Sequence, residues 1–317
     1  MELSKHLRHL YNLSLNCGYV PAAWKIATIV PVPKEGKSAT SVDGYRPISL
    51  LPALAKYIEL LLACYLRDFC ERNGILPKCQ AGFRRDRSIY DPLIRVMHDA
   101  CEGRATDEHL ACVLVLLDFK AAFDSIWHNG LRVVLKTLGL PTCVTRWLSD
   151  FLRFRSFAVR VEDSYSHLSN INCGVPQGSP LSPILFIIFT ASMLPHNLDK
   201  KDAWVDVARA AYADDVALWA VARPQACAVA RLQRELNRIE AWTSRWRMTL
   251  NPTKCEAINI GYTSGSAKVL LIRGQRIPFV NRVKYLGCHI SSRLSWKTHI
   301  DQAVKKANSR IAVFKAM

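Results

Sequence analysis

The segment Ala111-Cys112-Val113-Leu114-Val115-Leu116-Leu117-Asp118 constrains the fold most, because seven apolar residues run without a polar break and then stop on an acid. A strand with one face in water alternates polar and apolar side chains, so an unbroken apolar run reads as a strand covered on both faces. Asp118 then leaves the core at the strand terminus. A second acidic site is Tyr212-Ala213-Asp214-Asp215, set between the mostly apolar runs 205–211 and 216–221. Those runs have strand length, which puts the two acids at a tight turn. Adjacent carboxylates in a partly buried place raise each other's pKa unless a cation is bound there.

Each piece alone has an ordinary explanation. A solvated hairpin tip accounts for Asp214 and Asp215, and an N-cap for a helix over 120–126 accounts for Asp118. Together, one carboxylate at a strand end and two at a turn give the layout required for two-metal phosphoryl transfer, with ions about 3.5 to 4 Å apart.

The chain has 317 residues and 50% hydrophobic content, enough for a large core divided into two or more lobes. Lys and Arg outnumber Asp and Glu by 43 to 26. That surplus favours a polyanionic partner, with an anionic membrane surface as the rival. The longest apolar stretch, 183–194, is roughly half of what a helical membrane span needs. Residues 1–15 lack the apolar core of a signal peptide, and leucines at 3, 7 and 10 suit an amphipathic helix instead. Eleven scattered cysteines, with no close pairs at zinc-ligand spacing, read as small core residues in a reducing, intracellular compartment.

Elsewhere the patterns predict a strand at 26–32, a basic loop at 33–47 with Lys34, Lys37 and Arg46, and a helix at 51–73. A hairpin follows from 157–161 and 168–173 around Glu162-Asp163. The segment Gly174 to Pro183 is a loop leading into a helix, with Ser179 and Ser182 as alternative caps. Residues 231–246 form an amphipathic helix whose tryptophans belong to the core, 255–260, 269–273, 277–280 and 284–290 are short strands, and 296–314 is a final helix. Helices interleaved with strands give an α+β or α/β class.

Taken in order, the motifs resemble the reverse transcriptase domain of non-LTR retrotransposons, the LINE-type elements of the jockey-like group. The match is carried by Ile29-Val30-Pro31-Val32-Pro33-Lys34, Tyr45-Arg46-Pro47-Ile48-Ser49-Leu50, Gln80-Ala81-Gly82-Phe83-Arg84 and Leu117-Asp118-Phe119 through Ala122-Phe123-Asp124. It continues through Gly174-Val175-Pro176-Gln177-Gly178-Ser179-Pro180-Leu181-Ser182-Pro183, Tyr212 to Asp215, Leu250-Asn251-Pro252-Thr253-Lys254 and Tyr285-Leu286-Gly287.

The resemblance implies an α+β right-hand polymerase, with fingers at about 14–110 and 130–172 and a palm at about 111–129 and 173–290. The palm would be an antiparallel sheet packed on helices, and 291–317 would begin a truncated thumb. It further implies that Asp118, Asp214, Asp215 and the Phe119 carbonyl hold two Mg²⁺ ions, with Mn²⁺ able to substitute in vitro. Lys34 and Arg46 would clamp a dNTP triphosphate, Phe123 would exclude a 2′-hydroxyl, and Gln177 and Gly178 would lie beside the base and template. Lys254 would protonate or neutralise pyrophosphate, although a solvated lysine reads the same way. Tyr285, Leu286 and Gly287 would be the primer grip, although an ordinary buried strand would look alike. The expected partners are an RNA template, a DNA primer and dNTPs, without a membrane, and the expected place of action is the nucleus. An endonuclease domain, expected in a full-length element, is not among these residues. A nucleic-acid-binding fragment that has lost catalysis is the competing function.

Overall fold

A computed structural model describes residues 2–34, 36, 38, 40–105, 110–194, 207–261 and 269–316. Lys37 and residues 205–206 of the expected strand lie outside them. In chain order the first elements are α1 (Glu2–Cys17), β1 (Ile26–Pro33), β2 (Tyr45–Leu50), α2 (Ala53–Arg72), α3 (Tyr90–Ala105) and β3 (Ala111–Leu117). Next come α4 (His128–Thr137), α5 (Thr142–Phe151), β4 (Arg155–Val161), β5 (Ser164–Tyr165), β6 (Ser169–Ile171), α6 (Ser182–Thr190), β7 (Ala208–Tyr212) and β8 (Asp215–Ala222). The last are α7 (Gln225–Trp246), β9 (Glu256–Ile260), β10 (Leu271–Ile272), β11 (Gln275–Arg276), β12 (Phe279–Val280), β13 (Arg282–Tyr285), β14 (Cys288–Ser291) and α8 (Lys297–Ala316).

The chain forms two compact units. The first comprises 1–76, 121–192 and 246–248, and the second 77–120, 193–245 and 249–317. Residues 77–110, expected with the fingers, thus cluster with β3 and its partners.

In the second unit a five-stranded sheet runs in the order β12-β9-β3-β8-β7, antiparallel except where β12 joins β9. β3 is the middle strand, and its unbroken apolar sequence has the cause inferred from it: Val113, Leu114 and Val115 are fully buried. On one face Cys112 and Leu114 pack with Trp219, Ile258 and Ile260 against Val96 and Ala100 of α3. Successive side chains on a strand point to opposite faces, so Arg209 lies on the other face from Ala210. There its guanidinium bonds Glu235 of α7 at 2.7 Å.

In the first unit β1 pairs antiparallel with β2 and parallel with β4, which also carries β5 and β6. In α2 Leu54 and Leu61 are exposed, while Ala55, Ile58, Leu62 and Leu66 are buried. Glu59 shares the buried side and accepts a 2.5 Å hydrogen bond from Ser179. This acid on the buried face of α2 is thus a partnered group. α1 likewise buries Tyr11 and Ser14 while Leu3 and Leu10 stay exposed.

Two further expectations are corrected. No helix follows Asp118, because Ala121 takes a left-handed φ of 49° and only a short 3-10 turn forms at Phe123–Ser125, so Asp118 is not an N-cap. The single strand expected over 284–290 is a hairpin, with β13 and β14 joined through Leu286 and Gly287 at φ 47° and 82°. Two consecutive positive φ values turn the chain back where an extended run was expected.

Candidate active site

The acids assemble by register. Leu117 pairs with Val216 across β3 and β8, so Asp118, one residue beyond, and Asp215, one residue before, emerge at the same end of neighbouring strands. Tyr212 pairs with Asp215, leaving Ala213 and Asp214 as a two-residue hairpin turn. Burial, then the charges of Asp214 and Asp118, push the Asp215 carboxyl up to about 6. The Asp214 carboxyl is also raised, by burial first and then by Asp118. The three groups therefore feel one another's charge.

The strand end is anchored from the segment before β9. The Asn251 amide donates to the Asp118 carbonyl at 2.8 Å, and the Lys120 amide to the Thr249 carbonyl at 2.8 Å. Phe119, buried, bridges Leu250 between those bonds. The Asp118 amide donates to the Cys255 thiol at 3.5 Å, a contact that sequence reading did not anticipate. The turn closed by Lys254 N–H to Asn251 C=O at 3.0 Å brings Lys254 Nζ to 3.8 Å from Asp118 Oδ2.

Asp118, Asp215, Lys254, Tyr285, Leu286 and Gly287 line one cavity of about 260 Å³, together with Glu256 and Lys284. Asp118, Asp215 and Lys254 thus share a wall with the expected primer-grip residues, whereas Asp214 is not among the lining residues. Tyr285 is buried, and burial followed by the Asp215 charge raises its phenol. Lys284 and Glu256 were missed in the sequence because an isolated charge in a short strand carries no local signal.

The remaining candidates lie in the first unit. Lys34 follows β1, with its amide bonded to the Gly44 carbonyl at 2.7 Å, and Arg46 is exposed on β2 opposite Val32. The loop before α6 is stapled on two sides. Gly174 and Val175 amides donate to the Ile126 and Phe123 carbonyls at 2.8 and 2.9 Å, and the Ser49 amide donates to the Gln177 carbonyl at 2.7 Å. Glycine is required at 178, where φ is 134° and an added Cβ would lie 2.4 Å from the Ser49 carbonyl oxygen. Gln177 Nε2 bonds both Asp124 carboxylate oxygens at 3.0 and 2.9 Å. Burial raises the Asp124 carboxyl, against the opposing effects of Gln177 and the Lys34 charge. Phe123 stacks on Phe186 with ring centres 4.7 Å apart. Neither alternative serine caps α6 from the N-cap position, which is Leu181: Ser179 accepts from the Leu181 amide and Ser182 donates to the Pro176 carbonyl.

Three carboxylates gathered at one end of a helix-backed antiparallel sheet form an oxygen-donor set of the kind that takes divalent cations. Residues 32–290 match the family described as reverse transcriptase (RNA-dependent DNA polymerase), and the chain belongs to that family. It is 34% identical over 96% of its length to the RNA-directed DNA polymerase from mobile element jockey of Drosophila melanogaster. It is 35% identical, again over 96% of its length, to the probable RNA-directed DNA polymerase from transposon BS of the same species. It spans about a third of each: 33% and 34%. Solved apo telomerase from Candida tropicalis shares the fold, with a TM-score of 0.58 at 12% identity over 92% of this chain and 52% of that one. Among the described residues no helix is long and apolar enough to cross a membrane.

Proposed function

We propose that this chain is the RNA-directed DNA polymerase part of a non-LTR retrotransposon protein, extending a DNA primer with dNTPs on an RNA template. The observation that carries the reading is the convergence of Asp118, Asp214 and Asp215 at one strand end, where Asp118 Oδ2 accepts no hydrogen bond and has the Lys254 ammonium 3.8 Å away. Three carboxylates brought together with one ammonium nearby carry surplus negative charge that further cations would offset. Enzymes of this family use divalent metals, and a set of carboxylate oxygens suits Mg²⁺. Asp118, Asp214, Asp215 and the Phe119 carbonyl would hold two Mg²⁺ ions. When bound, these lower the pKa of the primer 3′-hydroxyl and stabilise charge at the α-phosphorus.

The chain's own groups do the rest. Lys34 and Arg46 bind the triphosphate and offset its charge. Gln177, held by Asp124, and Gly178 face the base and template. Phe123 rejects the ribose 2′-hydroxyl, and its stacking on Phe186 keeps the ring from swinging aside. Lys254, close to Asp118 Oδ2, neutralises departing pyrophosphate. Tyr285, Leu286 and Gly287 hold the primer end at the wall of the acid-lined cavity. The fingers at about 14–110 and 130–172, the palm at about 111–129 and 173–290 and a thumb starting at 291 remain part of this reading.

Extension of a primed RNA template with dNTPs or NTPs and Mg²⁺ tests it. Incorporation of dNTPs alone is expected, with NTPs entering once Phe123→Ala is made. Tight template binding with no incorporation under any divalent ion would instead identify a fragment that has lost catalysis.

A further inference from the structure

Ala213 holds the turn between β7 and β8 in the left-handed region, at φ 58°, where a residue with a Cβ is destabilised by about 1–2 kcal/mol. Such a conformation persists only where its surroundings over-determine it. The surroundings are one side chain from a distant part of the sequence. Gln80 is 4% exposed, and its Nε2 donates to the Ala213 carbonyl at 3.1 Å. Its Oε1 accepts from the Ala213 amide at 2.9 Å and from the Gly82 amide at 2.8 Å.

The Gln80 backbone is itself fixed against β7. Ala81 donates to the Ala211 carbonyl and Ala211 to the Cys79 carbonyl, both at 2.8 Å. Gly82 closes the fit, since an added Cβ there would lie 2.2 Å from the Ala213 nitrogen. Arg84 Nη1 bonds the Pro77 and Gln80 carbonyls at 2.8 and 3.1 Å, tying the loop to itself.

We propose that Gln80 is a positioning residue for the catalytic acids: its carboxamide clamps both backbone polar groups of Ala213 and so fixes where Asp214 and Asp215 point. The assignment rests on those aspartates being the metal ligands. A carboxamide is suited to the task because it presents a donor and an acceptor side by side, one for each polar group of the same residue. An ionised Glu would set an oxygen against the Ala213 carbonyl. A Met of similar length would satisfy neither group.

The test compares wild type, Gln80→Met and Gln80→Glu by primer extension, by Mn²⁺ binding read from the free-ion EPR signal, and by hydrogen exchange at the amides of 212–215. Both variants are expected to retain a cooperative thermal transition and a dNTP KM within about twofold of wild type. kcat should fall on the order of 30- to 100-fold, Mn²⁺ should bind about five- to tenfold more weakly, and exchange at Ala213 should quicken. The deficit of Gln80→Glu relative to wild type should shrink as pH falls, because a protonated carboxyl regains the donor; that of Gln80→Met should not. Wild-type Mn²⁺ affinity and wild-type exchange at Ala213 in a folded Gln80→Met would overturn the proposal. If wild type itself makes no DNA, the polymerase reading fails, whereas ion binding and exchange still decide the role of Gln80. If Gln80→Met does not fold, the pH-dependent recovery of Gln80→Glu decides it; if Gln80→Glu does not fold, ion binding and exchange in Gln80→Met decide it.

Discussion

Two hairpin turns in the same unit flank the acid-lined cavity, and they are built in opposite ways. The turn at Ala213-Asp214 and the turn at Leu286-Gly287 both have two residues, and both put a side-chain-bearing residue at positive φ. The first is walled in by Gln80 and Gly82, and the second is open: a Cβ added to Gly287 would meet nothing within 4 Å. The difference follows from what each turn must do. Carboxylates that share metal ions lose function with sub-ångström displacement, since effective positioning contributes several kcal/mol to catalysis. In the proposed reading the second turn holds a moving primer, a task that suits a fixed base and a free tip.

The largest effect should come from the walled turn itself. Asp214→Asn removes a charge without changing volume, and primer extension is expected to fall by about 10³-fold or more while the thermal transition persists. Extension at the wild-type level would remove Asp214 from the catalytic set.

Gly82→Ala should be the next most damaging change. Its Cβ would sit 2.2 Å from the Ala213 nitrogen and 2.9 Å from the Tyr212 carbonyl carbon, so the turn must move. A loss of about 10²-fold in kcat and a lower Tm are expected, the latter in line with about 1–3 kcal/mol for overpacking. Unchanged kcat with a lowered Tm would mean that the wall stabilises without positioning.

A smaller effect concerns pH. The Asp215 carboxyl is raised from 3.8 to about 6 in the fold, so between these values the folded chain retains a proton that the unfolded chain has released. Stability of the metal-free protein should therefore fall as pH rises from about 4 to about 6 and then level off. A divalent ion favours the ionised carboxylates, so added Mg²⁺ should reverse the loss at pH 7 and bind more weakly below about pH 6. Denaturant titrations across this range, with and without Mg²⁺, give both slopes.

The smallest effect should be at the open turn. Gly287→Ala meets no neighbour but must hold φ near 82°, a cost of about 1–2 kcal/mol. A Tm loss of a few degrees with kcat within about threefold of wild type is expected, and primer KM should move more than kcat. A loss equal to that of Gly82→Ala would erase the distinction between the turns.

Local sequence carried the acid-bearing framework well. The apolar run ending at Asp118 read as a covered strand and the acid pair as a turn between strands, while the pairing of those strands came only with the fold. The hairpin at Leu286 was hidden because a Leu-Gly pair lacks the Asn-Gly or Asp-Gly chemistry that marks such turns. The buried face of α1 was misread because tertiary cover selected Tyr11 and Ser14 over nearby leucines. The bonds from Gln80 to Ala213 and from Gln177 to Asp124 join residues 133 and 53 positions apart, which no local pattern encodes.

The placement of β3 at the middle of its sheet also sets conditions for biosynthesis. Its two neighbours are β8 and β9, and the register reaches from Cys112 to Ile260. A ribosome adding about 5–20 residues per second takes on the order of ten seconds to supply the second neighbour after the first strand has been made. Throughout that interval a run of apolar, β-favouring residues has an open edge, the condition that invites pairing with another nascent chain. Yield of the folded chain should thus depend on chaperone supply and translation speed as much as on the stability of the finished sheet.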